Sequence, residues 1–114
     1  MAFHDDLKNY IHEYIKFIYK ITKKFPKEEL YGVISQFRRA GMSIMLNYVE
    51  GFVRRKKSEC KVYHNFLETA YGSLKESKYL LFFSFDVKYI NKEEYNHGLE
   101  LAERIGKMLW SLIK

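Results

Sequence analysis

The sequence predicts an all-α protein. Four segments repeat apolar residues at spacings of three and four, and each is longer than the roughly ten to twelve residues that separate helices from strands. No stretch rich in Gly, Ser or Pro divides the 114 residues, so we expect a single domain over residues 1–114. The connections between segments are short, which makes consecutive helices antiparallel neighbours. The predicted fold is an up-down-up-down antiparallel four-helix bundle.

The helices are expected at about residues 5–24, 27–53, 59–86 and 92–113. The first ends before Pro26, because a residue that precedes proline is pushed out of the helical region, and proline suits the first turn of the second helix. Ser58 is a predicted N-cap for the third helix. Asn91, followed three residues later by Glu94, forms a variant capping box that opens the fourth.

The second and fourth segments carry more apolar surface than one bundle core buries. The predicted core stripe of the second segment is Leu30, Ile34, Phe37, Gly41, Ile44, Tyr48 and Gly51. Outside the core stripes of the second and fourth segments lies a further set of apolar residues. We predict that they form a subunit interface: Tyr31, Met42, Met45, Leu46, Val49, Leu101, Ile105, Met108 and Leu112. A bundle helix normally buries one stripe about 100° wide, so the excess predicts a homo-oligomer.

A narrow polar stripe also follows the second segment: Gln36, Arg39, Ser43, Asn47, Glu50 and Arg54. Two interpretations remain open. It is either a solvated seam with internal pairs such as Glu50 with Arg54, or a polar seam that fixes helix register or lines a channel in an assembly.

The net charge of +6 lies entirely in the first half of the chain. Residues 1–57 contain 12 Lys/Arg against 6 Asp/Glu, whereas residues 58–114 contain 8 of each. This asymmetry predicts a polyanionic partner, RNA or DNA. The residues expected to contact it are Lys16, Lys20, Lys23, Lys24, Arg38, Arg39, Arg54, Arg55, Lys56 and Lys57. Since no base-reading motif accompanies them, we expect phosphate contacts of low sequence specificity.

We expect no catalytic residue, metal or cofactor. A di-iron bundle needs two Glu-x-x-His motifs, and the chain has one, Glu94-x-x-His97. Cys60 has no accompanying base or second cysteine, so a chance surface thiol is the favoured interpretation. Because it is the only cysteine, it also excludes an internal disulfide and suits a reducing compartment.

With neither a signal peptide nor a membrane span recognisable, we expect a cytoplasmic protein without a membrane partner. Gly72 and Gly106 are expected where helices pack closely.

Two stretches are more specific than any periodicity. Residues 36–51 read QFRRAGMSIMLNYVEG, and residues 70–76 read AYGSLKE. They resemble a bacterial four-helix-bundle family first described as proteins encoded in intervening sequences of large-subunit ribosomal RNA genes. The pattern of that family is Q-hydrophobic-R-R-A-x-x-S-I-P-x-N-x-x-E-G, with a G-S-L-x-E element downstream. Met45 stands where the family has proline, so the kink expected in the second helix is in doubt.

The family also includes the accessory variability determinants of diversity-generating retroelements, which are basic pentamers that bind reverse transcriptase and nucleic acid. The resemblance therefore implies a homopentamer, and two functions follow as expectations. One is a non-enzymatic nucleic-acid-binding oligomer, an accessory factor to a reverse transcriptase. The alternative is a structural scaffold or protein-interaction module encoded in an rRNA intervening sequence, whose charge serves only solubility.

Overall fold

Helices account for most of the chain that the computed structural model describes, residues 2–55 and 60–114. Four α-helices are observed: α1 (Ala2–Thr22), α2 (Ser35–Arg54), α3 (Cys60–Asp86) and α4 (Lys92–Ile113). Within the described ranges there is no β-strand, so the predicted all-α class is confirmed. The predictions for Lys56, Lys57 and Ser58, and for the side chain of Cys60, lie outside the described residues.

The helices surround one apolar core in an elongated body of 47 × 25 × 19 Å. Both α1 and α3 pack against α2 and α4, so that each helix has two neighbours. Every helix contributes a buried stripe; among the fully buried side chains are Leu7, Ile11, Tyr14, Phe37, Ile44, Tyr48, Leu67, Leu81, Ala102 and Leu109. One polar contact crosses this core, because the Tyr14 hydroxyl lies 2.8 Å from Ser77 Oγ. None of the described helices has a stretch long and apolar enough to cross a membrane.

The chain before α2 departs from the predicted continuous helix. A 3-10 turn (Lys27–Glu29) and a π-helical turn (Leu30–Ile34) precede the regular helix, which begins only at Ser35. Gly32 breaks the helical path with φ −115° and ψ −111°, a conformation that the absence of a Cβ makes accessible. The predicted core position of Leu30 is therefore wrong: its side chain is 49% exposed. Its neighbour Tyr31 is 90% exposed.

Glu29 holds this irregular segment in place. Its Oε1 accepts a hydrogen bond from the Val33 backbone N–H at 3.3 Å, which caps the π-helical turn. Its Oε2 accepts one from the Tyr89 hydroxyl at 2.6 Å, which ties the turn to the connection between α3 and α4. Beyond the break, α2 is one continuous α-helix through Met45, the position at which the family pattern has proline.

The predicted capping box at the start of α4 is confirmed. Asn91 Oδ1 accepts a hydrogen bond from the Glu94 backbone N–H at 2.8 Å, and Glu94 Oε1 accepts one from the Asn91 backbone N–H at 3.0 Å. Two N–H groups that a helix start leaves unpaired are thereby satisfied.

The predicted apolar excess is present on α2 but mostly absent from α4. Ile105 is fully buried in the bundle core, so its assignment to a surplus stripe is wrong. Leu101, Met108 and Leu112, like Met45 of α2, are half-buried and pack against the same core. By contrast, the outward-facing residues of α2 that we call the α2 apolar stripe are exposed: Met42, Leu46, Val49 and Val53.

The polar seam of α2 divides into two parts. Near the middle of the helix, Ser43 Oγ lies 2.7 Å from Ser73 Oγ of α3, and Asn47 Nδ2 donates to Ser43 Oγ at 3.0 Å. Nearer the end, Arg54 Nη2 donates to Glu50 Oε2 at 2.8 Å, the i,i+4 pair that the solvated interpretation predicts. The seam is thus an α2–α3 contact at its centre and a surface pair at its end.

Candidate nucleic-acid interface

Three of the predicted basic residues lie at the C-terminal part of α1 and directly after it. Lys16 and Lys20 lie one turn apart on the helix, Lys23 follows in the turn after Thr22, and all three are exposed. We call them the α1 lysine face. Among the described residues, neither Lys20 nor Lys23 makes an ion pair or a hydrogen bond, while Lys16 Nζ lies 3.6 Å from Glu13 Oε2. These ammonium groups are available to an anion.

The α1 lysine face borders a shallow groove between α1 and α4. Phe17 and Tyr19 contribute aromatic surface to the groove, and His97 enters it from the first turns of α4. The Phe17 and His97 rings are arranged edge to face, with centroids 5.4 Å apart. No sequence signal indicated that His97 would join this site, since that depends on how α4 packs against α1.

Lys24 and Arg38 border the same end of the bundle, but both are already engaged. Lys24 forms an ion pair with Glu94 of α4. Arg38 Nε donates to Thr22 Oγ1 at 2.9 Å, and its guanidinium lies 4.4 Å from the centroid of the Tyr19 ring. Arg38 therefore ties α2 to α1, whereas Arg39 on the same helix is exposed.

The arginines at the end of α2 are held by contacts with α2 and, for Arg54, with α3. Arg54 pairs with Glu50, and its guanidinium lies 5.5 Å from the Phe66 ring centroid. Arg55 Nη1 donates to the Phe52 carbonyl oxygen at 2.9 Å while its guanidinium lies 3.5 Å from the ring centroid of Phe52. Because these contacts use part of each guanidinium, Arg54 and Arg55 have fewer N–H donors available to a phosphate.

The structure separates these two basic groups. The His4 ring at the start of α1 has its centroid 4.7 Å from that of Phe52, and the guanidinium of Arg55 lies over the same Phe52 ring, so Arg55 is beside the start of α1. Lys23 follows the other end of that helix. Since an α-helix rises about 1.5 Å per residue, Lys16 lies roughly 18 Å and Lys23 roughly 28 Å along the axis from the level of His4. The predicted contact residues are therefore two sites at opposite ends of the bundle.

In residues 2–55 and 60–114, no group of three or more His, Cys, Asp or Glu side chains is placed to hold a metal ion. Glu94, from the single Glu-x-x-His motif, is occupied by the capping box and by Lys24. His97 packs against Phe17 instead.

Sequence reasoning missed one further cluster. Trp110 of α4 lies beside Tyr71 of α3 in a cleft flanked by Lys75 and Lys107. The sequence carries only a weak signal for this cluster. It shows a tryptophan and a lysine in one helix and a tyrosine and a lysine in another, but not that α3 and α4 bring them together.

The protein has four α-helices and an exposed lysine face. It also carries the two family motifs, one on α2 and one on α3, and this combination defines the class of protein to which it belongs. The chain belongs to the 23S rRNA-intervening sequence protein family, whose family model matches residues 6–111. The family resemblance seen in the two motifs is thus confirmed.

A solved structure of the same fold comes from Bacteroides thetaiotaomicron and is described as a protein of unknown function from the S23 ribosomal protein family. It is 25% identical to this chain, with a TM-score of 0.80, and the match covers 95% of this chain and 98% of that one. No curated protein matches the chain.

Proposed function

We propose that this protein is a non-enzymatic, homo-oligomeric bundle that binds RNA or DNA through phosphate contacts. The observation that carries the proposal is the α1 lysine face, where Lys20 and Lys23 are exposed and form no ion pair within 4.0 Å among the described residues, although the charge of Lys20 also acts on Glu94. Phosphate neutralisation is the usual use of such a face, and it supplies affinity without reading sequence. Arg39, Arg54 and Arg55 supplement it at the two ends of α2.

We infer an up-down-up-down arrangement for the four helices. Two contacts between α1 and α4 support it, because Lys24 pairs with Glu94 whereas Arg104 Nη1 donates to the Tyr10 hydroxyl at 2.8 Å. Residues late in α1 therefore lie beside residues early in α4, which means that these two helices are antiparallel. In this arrangement the α1 lysine face covers about 10 Å along the bundle axis, over the C-terminal part of α1.

Self-association through the α2 apolar stripe is the second part of the proposal. Leu46 is 61% exposed, and Met42, Val49 and Val53 continue the same side of the helix. A contiguous apolar stripe of this kind marks an interaction surface. The family resemblance favours a closed pentamer, which would repeat the lysine face five times and raise affinity for a long polyanion through avidity.

The role that these properties fit is delivery of RNA or DNA to another protein in the cytoplasm. In the retroelement branch of the resemblance, that partner is a reverse transcriptase. No catalytic step is assigned to the chain, and no metal, cofactor or membrane is required.

The test compares two double variants that remove the same charge. Lys20→Gln with Lys23→Gln removes two of the three charges of the α1 lysine face, and Lys88→Gln with Lys114→Gln removes two exposed charges elsewhere. Fluorescence anisotropy is measured with labelled RNA and DNA of two unrelated sequences. The first variant should weaken binding to all four probes by similar factors, whereas the control should bind nearly as the parent does. Equal affinities for both variants would assign binding to overall charge.

The α2 apolar stripe also favours a second candidate, the scaffold that binds another protein and uses its charge for solubility. It makes a different prediction for the same assay. A scaffold shows no salt-sensitive binding to any of the four probes at low ionic strength, although it still self-associates.

A further inference from the structure

A cleft between α3 and α4 combines aromatic surface with positive charge. We call it the aromatic cleft and define it by Tyr71 and Lys75 of α3 with Gly106, Lys107 and Trp110 of α4. It lies on a different pair of helices from the α1 lysine face.

Trp110 is the unusual element of the aromatic cleft. It is 50% exposed, although tryptophan is the largest apolar side chain and normally buries most of its surface. Its ring centroid lies 5.6 Å from that of Tyr71 with an interplanar angle of 40°, so Tyr71 supports the indole from one side. A supported and half-exposed indole is a surface on which another flat ring can stack.

The charges around the aromatic cleft are mainly positive. Lys75 and Lys107 are exposed, and Lys75 Nζ lies 5.3 Å from the Tyr71 ring centroid. Lys78 pairs with Glu103, the acidic residue of the cleft lining. The hydrogen bond and the charge of Lys78 lower the pKa of Glu103, and the nearby charges of Lys75 and Lys107 add to this effect. Three lysines against one carboxylate leave two positive charges beside the indole.

The floor of the aromatic cleft is kept open by a residue without a side chain. A methyl group on Gly106 would lie 3.3 Å from Leu74 Cδ2, a tight contact, and a larger side chain would extend into the cleft. The opening therefore admits a flat group beside Trp110, with Lys75 and Lys107 on its two flanks.

We propose that the aromatic cleft binds single-stranded nucleic acid, with one unpaired base stacked on Trp110 and the adjacent phosphates contacting Lys75 and Lys107. The combination of an aromatic ring with flanking cations is how proteins hold single strands, and it requires an unpaired base because duplex bases are stacked on each other. This inference rests on the proposed nucleic-acid binding and adds to it a preference for single strands.

The sequence contains a single tryptophan, so its fluorescence reports on this cleft alone. A 12-nucleotide RNA without secondary structure is titrated into the protein, and a 12-base-pair duplex of the same composition is titrated in parallel. The single strand should quench Trp110 fluorescence, and the duplex should bind by anisotropy with little quenching. Adenosine monophosphate serves as the third probe. If it binds as tightly as the 12-mer, the cleft is a nucleotide site and the proposal is overturned.

Substitutions then separate stacking from charge. Trp110→Ala should weaken 12-mer binding about 5-fold or more, because stacking contributes roughly 1–3 kcal/mol per base, while Trp110→Phe should retain much of the affinity. Lys75→Gln with Lys107→Gln should also weaken it and reduce its salt dependence. Duplex binding should change little in the tryptophan variants. Circular dichroism of each variant checks that the bundle remains folded.

The outcomes distinguish this inference from the function on which it rests. If the 12-mer binds but leaves Trp110 fluorescence and the affinity of Trp110→Ala unchanged, the aromatic cleft is not a nucleic-acid site, and the α1 lysine face still accounts for binding. If neither the 12-mer nor the duplex binds, the proposed nucleic-acid binding itself is wrong. If Trp110 fluorescence instead follows protein concentration and oligomer mass, a second copy occupies the cleft and the inference is overturned.

Discussion

Gly98 of α4 lies against the ring of Phe17 of α1 so closely that a methyl group at its Cα would be 2.5 Å from Phe17 Cε2. The rings of Tyr14 and His97 also lie beside Phe17, with centroids 6.4 and 5.4 Å from its own. Leu81 Cδ1 would be 3.0 Å from the same methyl group. The spacing between α1 and α4, and with it the groove beside the α1 lysine face, depends on this absent side chain.

Gly98→Ala should destabilise the bundle by about 1–3 kcal/mol, since overpacking outweighs the gain in helix propensity. The matched variant is Gly72→Ala, which should stabilise it by about 1 kcal/mol, the difference in helix propensity between the two residues. Gly72 is exposed and has nothing within 4 Å of an added methyl group, so the close packing expected there is wrong. Urea denaturation of both variants measures the difference. A stable Gly98→Ala protein would show that Phe17 moves aside.

The buried pair formed by Tyr14 and Ser77 should respond asymmetrically to its two truncations. Ser77 Oγ also donates to the Leu74 carbonyl oxygen at 2.7 Å, so Tyr14→Phe leaves it bonded and should cost about 1 kcal/mol. Ser77→Ala leaves the Tyr14 hydroxyl buried without this partner and should cost about 1–3 kcal/mol. Thermal denaturation should rank Ser77→Ala as the less stable variant. The reverse order would mean that the tyrosine hydroxyl finds another partner.

Glu94 should make the bundle more stable at neutral than at acidic pH. Partial burial alone would raise its pKa, but hydrogen bonds from Lys24 and the Asn91 backbone outweigh it and leave the pKa below its ordinary value of 4.5. The lowered pKa means that the folded state favours the charged form. The stabilisation is therefore fully present above pH 4.5 and is lost as the pH falls through the lowered pKa.

Glu94→Gln keeps an amide suited to the capping box but cannot titrate, so its unfolding free energy should fall less than that of the parent between neutral and acidic pH. Glu93→Gln is the control, since Glu93 is exposed in the same helical turn. Chemical denaturation across this pH range gives the comparison. Parallel curves for parent and Glu94→Gln would contradict the assignment.

Leu46→Glu should dissociate the proposed oligomer while leaving helical content intact, because Leu46 is exposed on the α2 apolar stripe. Val87→Glu, at an exposed apolar position after α3, should leave the assembly unchanged. Light-scattering mass and circular dichroism measure the two effects. Leu112→Glu is unsuitable for this purpose, since Leu112 packs against the core and its substitution should lower stability. A parent protein that stays monomeric at high concentration would contradict self-association.

The features that could be predicted well from the sequence are those that neighbouring residues determine. The capping box of Asn91 and Glu94 lies within four residues, and the pair of Glu50 with Arg54 within five. Leu30 could not be placed correctly, because the break at Gly32 is accompanied by a contact of Glu29 with the Tyr89 hydroxyl, 60 residues away along the chain. That separation leaves no trace in a local pattern.

The candidate sites show the same division. The α1 lysine face follows from helical spacing alone, whereas its groove with His97 depends on how α4 packs on α1. Ile105 was misassigned because periodicity gives the direction of a side chain but not how deeply its helix is packed. The position of Trp110 beside Tyr71 likewise depends on the register between α3 and α4, which no motif encodes.

Nucleic-acid binding through the α1 lysine face is tested most directly by the salt dependence of affinity for a duplex DNA of arbitrary sequence. For the parent protein, log affinity should fall linearly with log salt concentration, by about 0.9 for each phosphate contact. Lys20→Gln with Lys23→Gln should make that slope shallower by roughly 0.9 for each phosphate contact that is lost, counted over all subunits that touch the DNA. The oligomer mass should stay constant. A parent protein without salt-sensitive binding, or a variant with an unchanged slope, would contradict the claim.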